Sequence, residues 1–286
     1  MKLEVVDILS IASGRDNEDR AGAAPPLAWV IDGATDVLPE PLTRGPTDAA
    51  WFAGAMQEAM TSVAATPPPS LIDLPQIIAD RLGPLFKAAA KRAIIGPDEQ
   101  PSAAAIVVRC TGDNELEYVS LGDCALMLDS NGEMTKIGVD DEQAGDRWVA
   151  DALRGQAIDA TTQQAPLTRA GLLPRLRAQR ALMNTTAGYG IFSVTAPPRA
   201  MIKHGLLPVS PGDRILLASD GLMRLVDVFR TYDADRLFAA AWSEGLAPLF
   251  EELRALERLD ANCSRYPRAK TSDDTTAMLL RVTASA

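Results

Sequence analysis

Apolar residues in this chain gather in short runs separated by polar links, and each run predicts an element. LEVVDILSIAS opens the chain as a strand, and GRDNEDRAGAAPP follows as a polar loop punctuated by glycine and proline. LAWVI is a buried strand that ends at Asp32-Gly33. In TDAAWFAGAMQEAMTSVAA the spacing of Phe52, Met56, Met60 and Val63 is helical, with Thr47 placed to cap the first turn. TPPPS breaks that helix. A second helix is predicted over Leu74–Ala93 with Ile78, Leu82, Phe86 and Ala89 on its buried face, and Gly83-Pro84 predicts a kink.

AAAIVVRC, LEYVSLGD and CALMLDS then read as three strands, with turn chemistry in TGDN and SNGE, and their short links predict an antiparallel meander. Residues 138–200 are the least regular, with helix-like pieces near Arg147–Arg154 and Ala170–Leu182. The strand DRILLAS runs up to Asp220-Gly221, helical patterns cover 234–244 and 246–260, and TTAMLLRV closes the chain as a strand. Strands come in runs with helices between the runs. That pattern predicts an α+β fold of antiparallel sheets covered by helices, in a single domain over 1–286.

Composition narrows the partners. The 286 residues are 47% hydrophobic and 23% charged, with a formal net charge of −10. A nucleic acid or an anionic membrane calls for a basic face. No Lys/Arg run stands out, and the nearest candidates, RAGLLPRLRAQR and SRYPRAK, read as a solvated helix face and a loop. The three cysteines, Cys110, Cys124 and Cys263, are widely spaced, which suits neither a disulfide framework nor a zinc site. Cys110 and Cys124 read as core fillers. The polar N-terminus and the absence of a long apolar run predict a cytoplasmic protein.

Candidate chemistry lies at the ends of the strands. LAWVIDG delivers Asp32, LEYVSLGD delivers Asp123, DRILLASDG delivers Asp220, and SDDTTAMLL begins with Asp273 and Asp274. Glu18 and Asp19 form a further acidic pair in NED. One Asp-Gly is an ordinary turn. Several carboxylates at the ends of neighbouring strands repel one another unless a cation lies between them. With one histidine, His204, and no clustered cysteine, such a site suits Mg²⁺ or Mn²⁺ rather than zinc or copper. Two such ions sharing a carboxylate favour phosphate ester hydrolysis by water. His204 in MIKHGLLPV reads as a surface turn residue, and Asp36 as either an outer-shell group or a turn residue. Trp29, Trp51 and Trp242 read as packing residues, and Trp148 as a possible substrate contact.

The order NED, VIDG, PSAAAIVV, VSLGDCALML, DRILLASDGL, SDDTTAMLL resembles the metal-dependent protein phosphatase family, the type 2C Ser/Thr phosphatases. The resemblance implies two packed antiparallel sheets flanked by helices, with a variable flap at about 138–200. It implies a centre of two Mn²⁺ or Mg²⁺ ions, with a possible third, and a phosphorylated protein as substrate. Asp32 would bridge the two ions, the Gly33 carbonyl would bind one, and Asp220 and Asp273 would complete a shell. Glu18 and Asp19 would hold metal-bound waters, Asp123 would join Asp220 at a third ion, and Asp274 would stand behind them.

Hydrolysis would proceed by attack of a metal-bridging water. Two departures stand out. Ala34 replaces the histidine of the family's DGH, and Arg15 stands three residues before Glu18 rather than four, with Arg20 a weaker substitute for the phosphate-binding arginine. A phosphatase without turnover that binds a phosphoprotein, and a phosphatase of small phosphometabolites, remain alternatives.

Overall fold

The computed structural model describes residues 1–112, 114–139, 169–268 and 270–284. Arg147–Arg154 and Trp148 lie outside them. The strands are β1 (Lys2–Ile11), β2 (Asp19–Ala24), β3 (Leu27–Gly33), β4 (Ser102–Thr111), β5 (Glu115–Leu121), β6 (Ala125–Ser130), β7 (Glu133–Ile137), β8 (Phe192–Ser193), β9 (Lys203–Pro208), β10 (Arg214–Ala218) and β11 (Thr275–Thr283). The helices are α1 (Asp48–Ala65), α2 (Leu74–Ala89), α3 (Arg169–Arg180), α4 (Asp220–Asp227), α5 (Ala234–Glu244) and α6 (Leu246–Leu259).

Two antiparallel sheets result. One has the order β1-β11-β10-β6-β7, and the other the order β2-β3-β4-β5-β9 with β8 on β4. Side chains alternate across a strand, and the alternation sorts the core into three layers. Leu27, Trp29 and Ile31 of β3 pack with Phe52, Met56 and Met60 of α1. Ala28 and Val30 face the other way and meet Leu126, Leu217 and Met278 between the sheets. Leu216 and Leu279 turn outward to Leu222, Leu237, Phe238 and Leu249 of α4, α5 and α6. A strand buried on both faces has no reason to alternate with polar residues, which is why LAWVI and ILLA are unbroken apolar runs.

α1 forms as its sequence requires. Thr47 accepts a hydrogen bond from the Ala50 amide, and Asp36 accepts two more, from the amides of Asp48 at 2.8 Å and Ala49 at 3.1 Å. Asp36 therefore acts as a helix-terminus acceptor, beside the loop that follows Gly33.

Several elements differ from the sequence reading. β2 occupies much of the stretch read as loop; its Ala-rich run has weak strand propensity and is held by pairing along β3 from Asp19↔Asp32 to Ala24↔Leu27. The three strands read as one meander are split: β4 and β5 pair in one sheet, whereas β6 pairs with β7 and β10 in the other. Residues 122–124 carry the chain across, and Cys124 is buried between the sheets. α2 ends at Ala89 and continues through Pro84. Asp220 does not end a strand; β10 stops at Ala218, and Asp220 is the first residue of α4. His204 lies within β9, opposite Val119, rather than in a turn. Cys110 is only partly buried.

Candidate metal centre

Strand register brings the acidic residues to one end of the sandwich. Asp19 and Asp32 are directly opposed on β2 and β3. Asp32 shares the inter-sheet face with Ala28 and Val30, by the period of two. Leu121, at the end of β5, pairs with Ala105, the neighbour of Asp32's partner Ala104, so Asp123 emerges at the same end. In the facing sheet Ala218 pairs with both Ala125 and Ala277. The exit of β10, carrying Asp220, therefore lies beside the entry of β11, carrying Asp273 and Asp274.

Close backbone approach fixes this end. A side chain on Gly33 would come within 2.5 Å of the Glu18 carbonyl oxygen, and one on Gly221 within 1.8 Å of the Asp274 carbonyl oxygen. Only glycine fits after each aspartate. Ser219, fully buried, ties the sheets together: its Oγ donates to Asp19 Oδ2 at 2.8 Å and accepts from the Thr276 amide at 3.0 Å. Asp274 ties the segment before β2 to the start of β11. Its Oδ1 accepts from the amide and hydroxyl of Ser13, at 2.7 and 2.8 Å, and its Oδ2 from the Glu18 amide. It shapes the loop that presents Glu18.

The electrostatics divide the centre into two parts. Burial pushes the Asp19 carboxyl up to about 7, reinforced by the charges of Asp273 and Asp274 against the opposing Ser219 hydrogen bond. Burial also pushes Asp32 well above the usual carboxylate range, reinforced by Asp19, Asp220 and Asp123 and by a hydrogen bond with Asp220. Like charges held together in a poorly solvated place are what a hard cation relieves. The oxygen-only donor chemistry of Asp19, Asp32, Asp123 and Asp220 thus fits Mg²⁺ or Mn²⁺. Among the described residues, no three His, Cys, Asp or Glu side chains already stand in metal-holding geometry.

Asp273 differs. Its Oδ2 accepts from Arg224 Nη2 at 2.6 Å, and its Oδ1 from Lys270 Nζ at 2.8 Å and from the Asp274 amide at 3.1 Å. Burial acts to raise its pKa, but Lys270 and Arg224 outweigh burial and hold it below the usual range. Lys270 is the converse: burial opposes its charge, and Asp273, Asp220 and Glu18 together hold its pKa above the ordinary lysine value.

Thr35 joins the two parts. Its Oγ1 donates to Glu18 Oε2 at 2.8 Å and accepts from Lys270 Nζ at 2.7 Å, while its carbonyl accepts from Arg180 Nη2 at 3.1 Å. Sequence reasoning missed Thr35, Lys270, Arg224 and Ser219. Arg180 belongs to the helix read as a solvated face, and Lys270 to the basic stretch read as a plain loop. In that loop Arg268 is buried and paired with Asp260 at 2.6 Å. Only the position of Arg224, four residues after Asp220 on the same helix, offered a signal.

Arg15 is exposed in the loop before Glu18, and Arg20 donates to the carbonyls of Asn17 and Asp19. Ala34 brings no proton donor; its amide bonds the Ser102 carbonyl at 2.9 Å. His204 lies three strands from β3, about 14 Å at ordinary strand spacing, and is remote from the centre.

The sequence profile described as protein phosphatase 2C matches residues 10–261, so the segment from Lys270 to Asp274 lies beyond the match. No curated protein matches the chain. Solved structures share the fold. The Mycobacterium tuberculosis serine/threonine phosphatase PstP/Ppp superposes with a TM-score of 0.58 at 15% identity, covering 99% of this chain and 100% of that one. The catalytic domain of PstP in complex with two manganese ions gives 0.57 at 16% identity, covering 99% of each chain. The S. agalactiae serine/threonine phosphatase gives 0.53 at 15% identity, covering 98% of this chain and 99% of that one. With the family profile matched over most of its length and both sheets of the family's sandwich in place, the chain belongs to the protein phosphatase 2C family.

Proposed function

We propose that this protein is a Mn²⁺- or Mg²⁺-dependent phosphatase that hydrolyses phosphoserine or phosphothreonine in proteins. The observation that carries the reading is the meeting of Asp19 and Asp32 from one sheet with Asp220 from the other, close enough that Asp19 and Asp220 raise the pKa of the buried Asp32. Asp19, Asp32, Asp123 and Asp220 would hold the cations, with the Gly33 carbonyl and Glu18 at the edge. Bound divalent ions lower the pKa of water and neutralise phosphoryl oxygens.

The chain's own groups supply the rest. Ser219 and Asp274 hold Asp19 and the Glu18 loop in place. Exposed Arg15 is the group we assign to the substrate phosphate. Ala34 offers no acid for the leaving alkoxide, and such help is typically worth about 10²–10⁴-fold, so turnover is expected to be modest.

Hydrolysis of p-nitrophenyl phosphate with added Mn²⁺ tests the proposal. Wild type should turn over, and Asp32→Ala and Asp220→Ala should each lose at least about 100-fold, the scale of losing a principal electrostatic group. The pairing of the Asp273 charge with Arg224 and Lys270 and the alanine at position 34 favour a second reading, a family member that binds phosphoprotein without turnover. A wild type that binds Mn²⁺ yet is inert on both p-nitrophenyl phosphate and phosphopeptides would establish that reading instead. A kcat/KM higher on sugar phosphates than on phosphopeptides would move the substrate to small phosphometabolites.

A further inference from the structure

A carboxylate has about four acceptor positions on its two oxygens. At Asp273 three of them are taken, by Arg224, Lys270 and the Asp274 amide. Two of those donors are full positive charges. Lys270 also reaches the Thr35 hydroxyl, which itself donates to Glu18. One ammonium thereby links two residues, Asp273 and Glu18, that approach the centre from opposite sheets and that the family resemblance assigns to metal.

We propose that Lys270 is a tethered cation of the acidic centre, which a divalent ion must displace to reach Asp273. This rests on the metal-centre reading above and refines it. A divalent ion beside Asp273 would face the ammonium at short range, where repulsion between poorly screened charges is large. Ions therefore load first at the Asp19–Asp32–Asp220 side, where only carboxylate repulsion has to be relieved. The Asp273 side fills weakly and only as Lys270 swings out. Arg224 lies on a helix beneath Asp273 and is fully buried, so it stays as the fixed partner, whereas Lys270 retains 28% side-chain exposure and has room to move.

Isothermal titration of chelator-treated protein with Mn²⁺ tests this directly, comparing wild type with Lys270→Met, which keeps length and removes charge, and Lys270→Arg, which keeps charge. The methionine variant should bind one ion about tenfold tighter or gain an ion per chain, with the arginine variant close to wild type. Unchanged or weaker binding in Lys270→Met, or equal tightening in both variants, would overturn the proposal. Absence of Mn²⁺ binding in all three would overturn it together with the metal-centre reading, so the two failures are distinguishable. A measurement on wild type needs no variant to fold: in reductive methylation read by mass spectrometry, saturating Mg²⁺ should make Lys270 more reactive. Reactivity that is unchanged or lower in Mg²⁺ would also overturn the proposal.

Discussion

Asp19 shows how a single buried carboxyl links the acidic centre to folding. An aspartate in an unfolded chain titrates near 3.8, whereas here burial and neighbouring carboxylates bring it to about 7. Between those values the folded state holds a proton that the unfolded state has released. Its stability contribution is fully present below about pH 4, declines as pH rises, and is gone above about pH 7. In metal-free protein the melting temperature of wild type should therefore fall, relative to Asp19→Asn, as pH rises through this window, and saturating Mg²⁺ should remove the difference in slope. Thermal melts at several pH values check this; parallel curves for the two proteins without metal would contradict it. Asp32 and Asp220 were legible as candidates because each follows an apolar run. Thr35 and Lys270 were not, because their contact spans 235 residues and no local pattern encodes it.

At the scale of elements, α4 and α6 are held to the centre by charge. Arg224 of α4 lies between Asp273 and Glu257 of α6, and Glu257 also pairs with Arg254 at 2.5 Å. Arg254 in turn donates to the Asp273 carbonyl at 2.7 Å. Glu257 is 1% exposed, so its removal strands buried guanidinium charge. Glu257→Ala should cost about 3–5 kcal/mol in urea denaturation. A loss under about 1 kcal/mol would show that the network is not a principal tie between α6 and the sheet end. The long helices and the apolar strands were readable because periodicity is strong in them. β2 and α4 were not: β2 is built of small residues and exists through its pairing with β3, and α4 is an eight-residue helix begun by the same Asp-Gly that elsewhere makes a turn.

At the scale of the whole molecule, the runs of strands between helices predicted antiparallel sheets covered by helices, the family resemblance implied two of them packed together, and the sandwich has that form. What the runs could not show is where the chain changes sheet. A three-residue link between apolar strands reads as a hairpin, yet residues 122–124 step from β5 in one sheet to β6 in the other. That step carries Asp123 to the end of the sandwich where Asp32 and Asp220 meet. The architecture thus explains why carboxylates nearly 200 residues apart share one electrostatic environment, and why the helices, which cover the outer faces, leave that end to the loops.

The most direct measurement is release of inorganic phosphate from a phosphothreonine peptide by chelator-treated protein as Mn²⁺ is added back. Release should begin with Mn²⁺, saturate, and vanish in Asp32→Asn. No release at any Mn²⁺ concentration, or release that survives either chelation or Asp32→Asn, would contradict a hydrolytic centre built from these carboxylates.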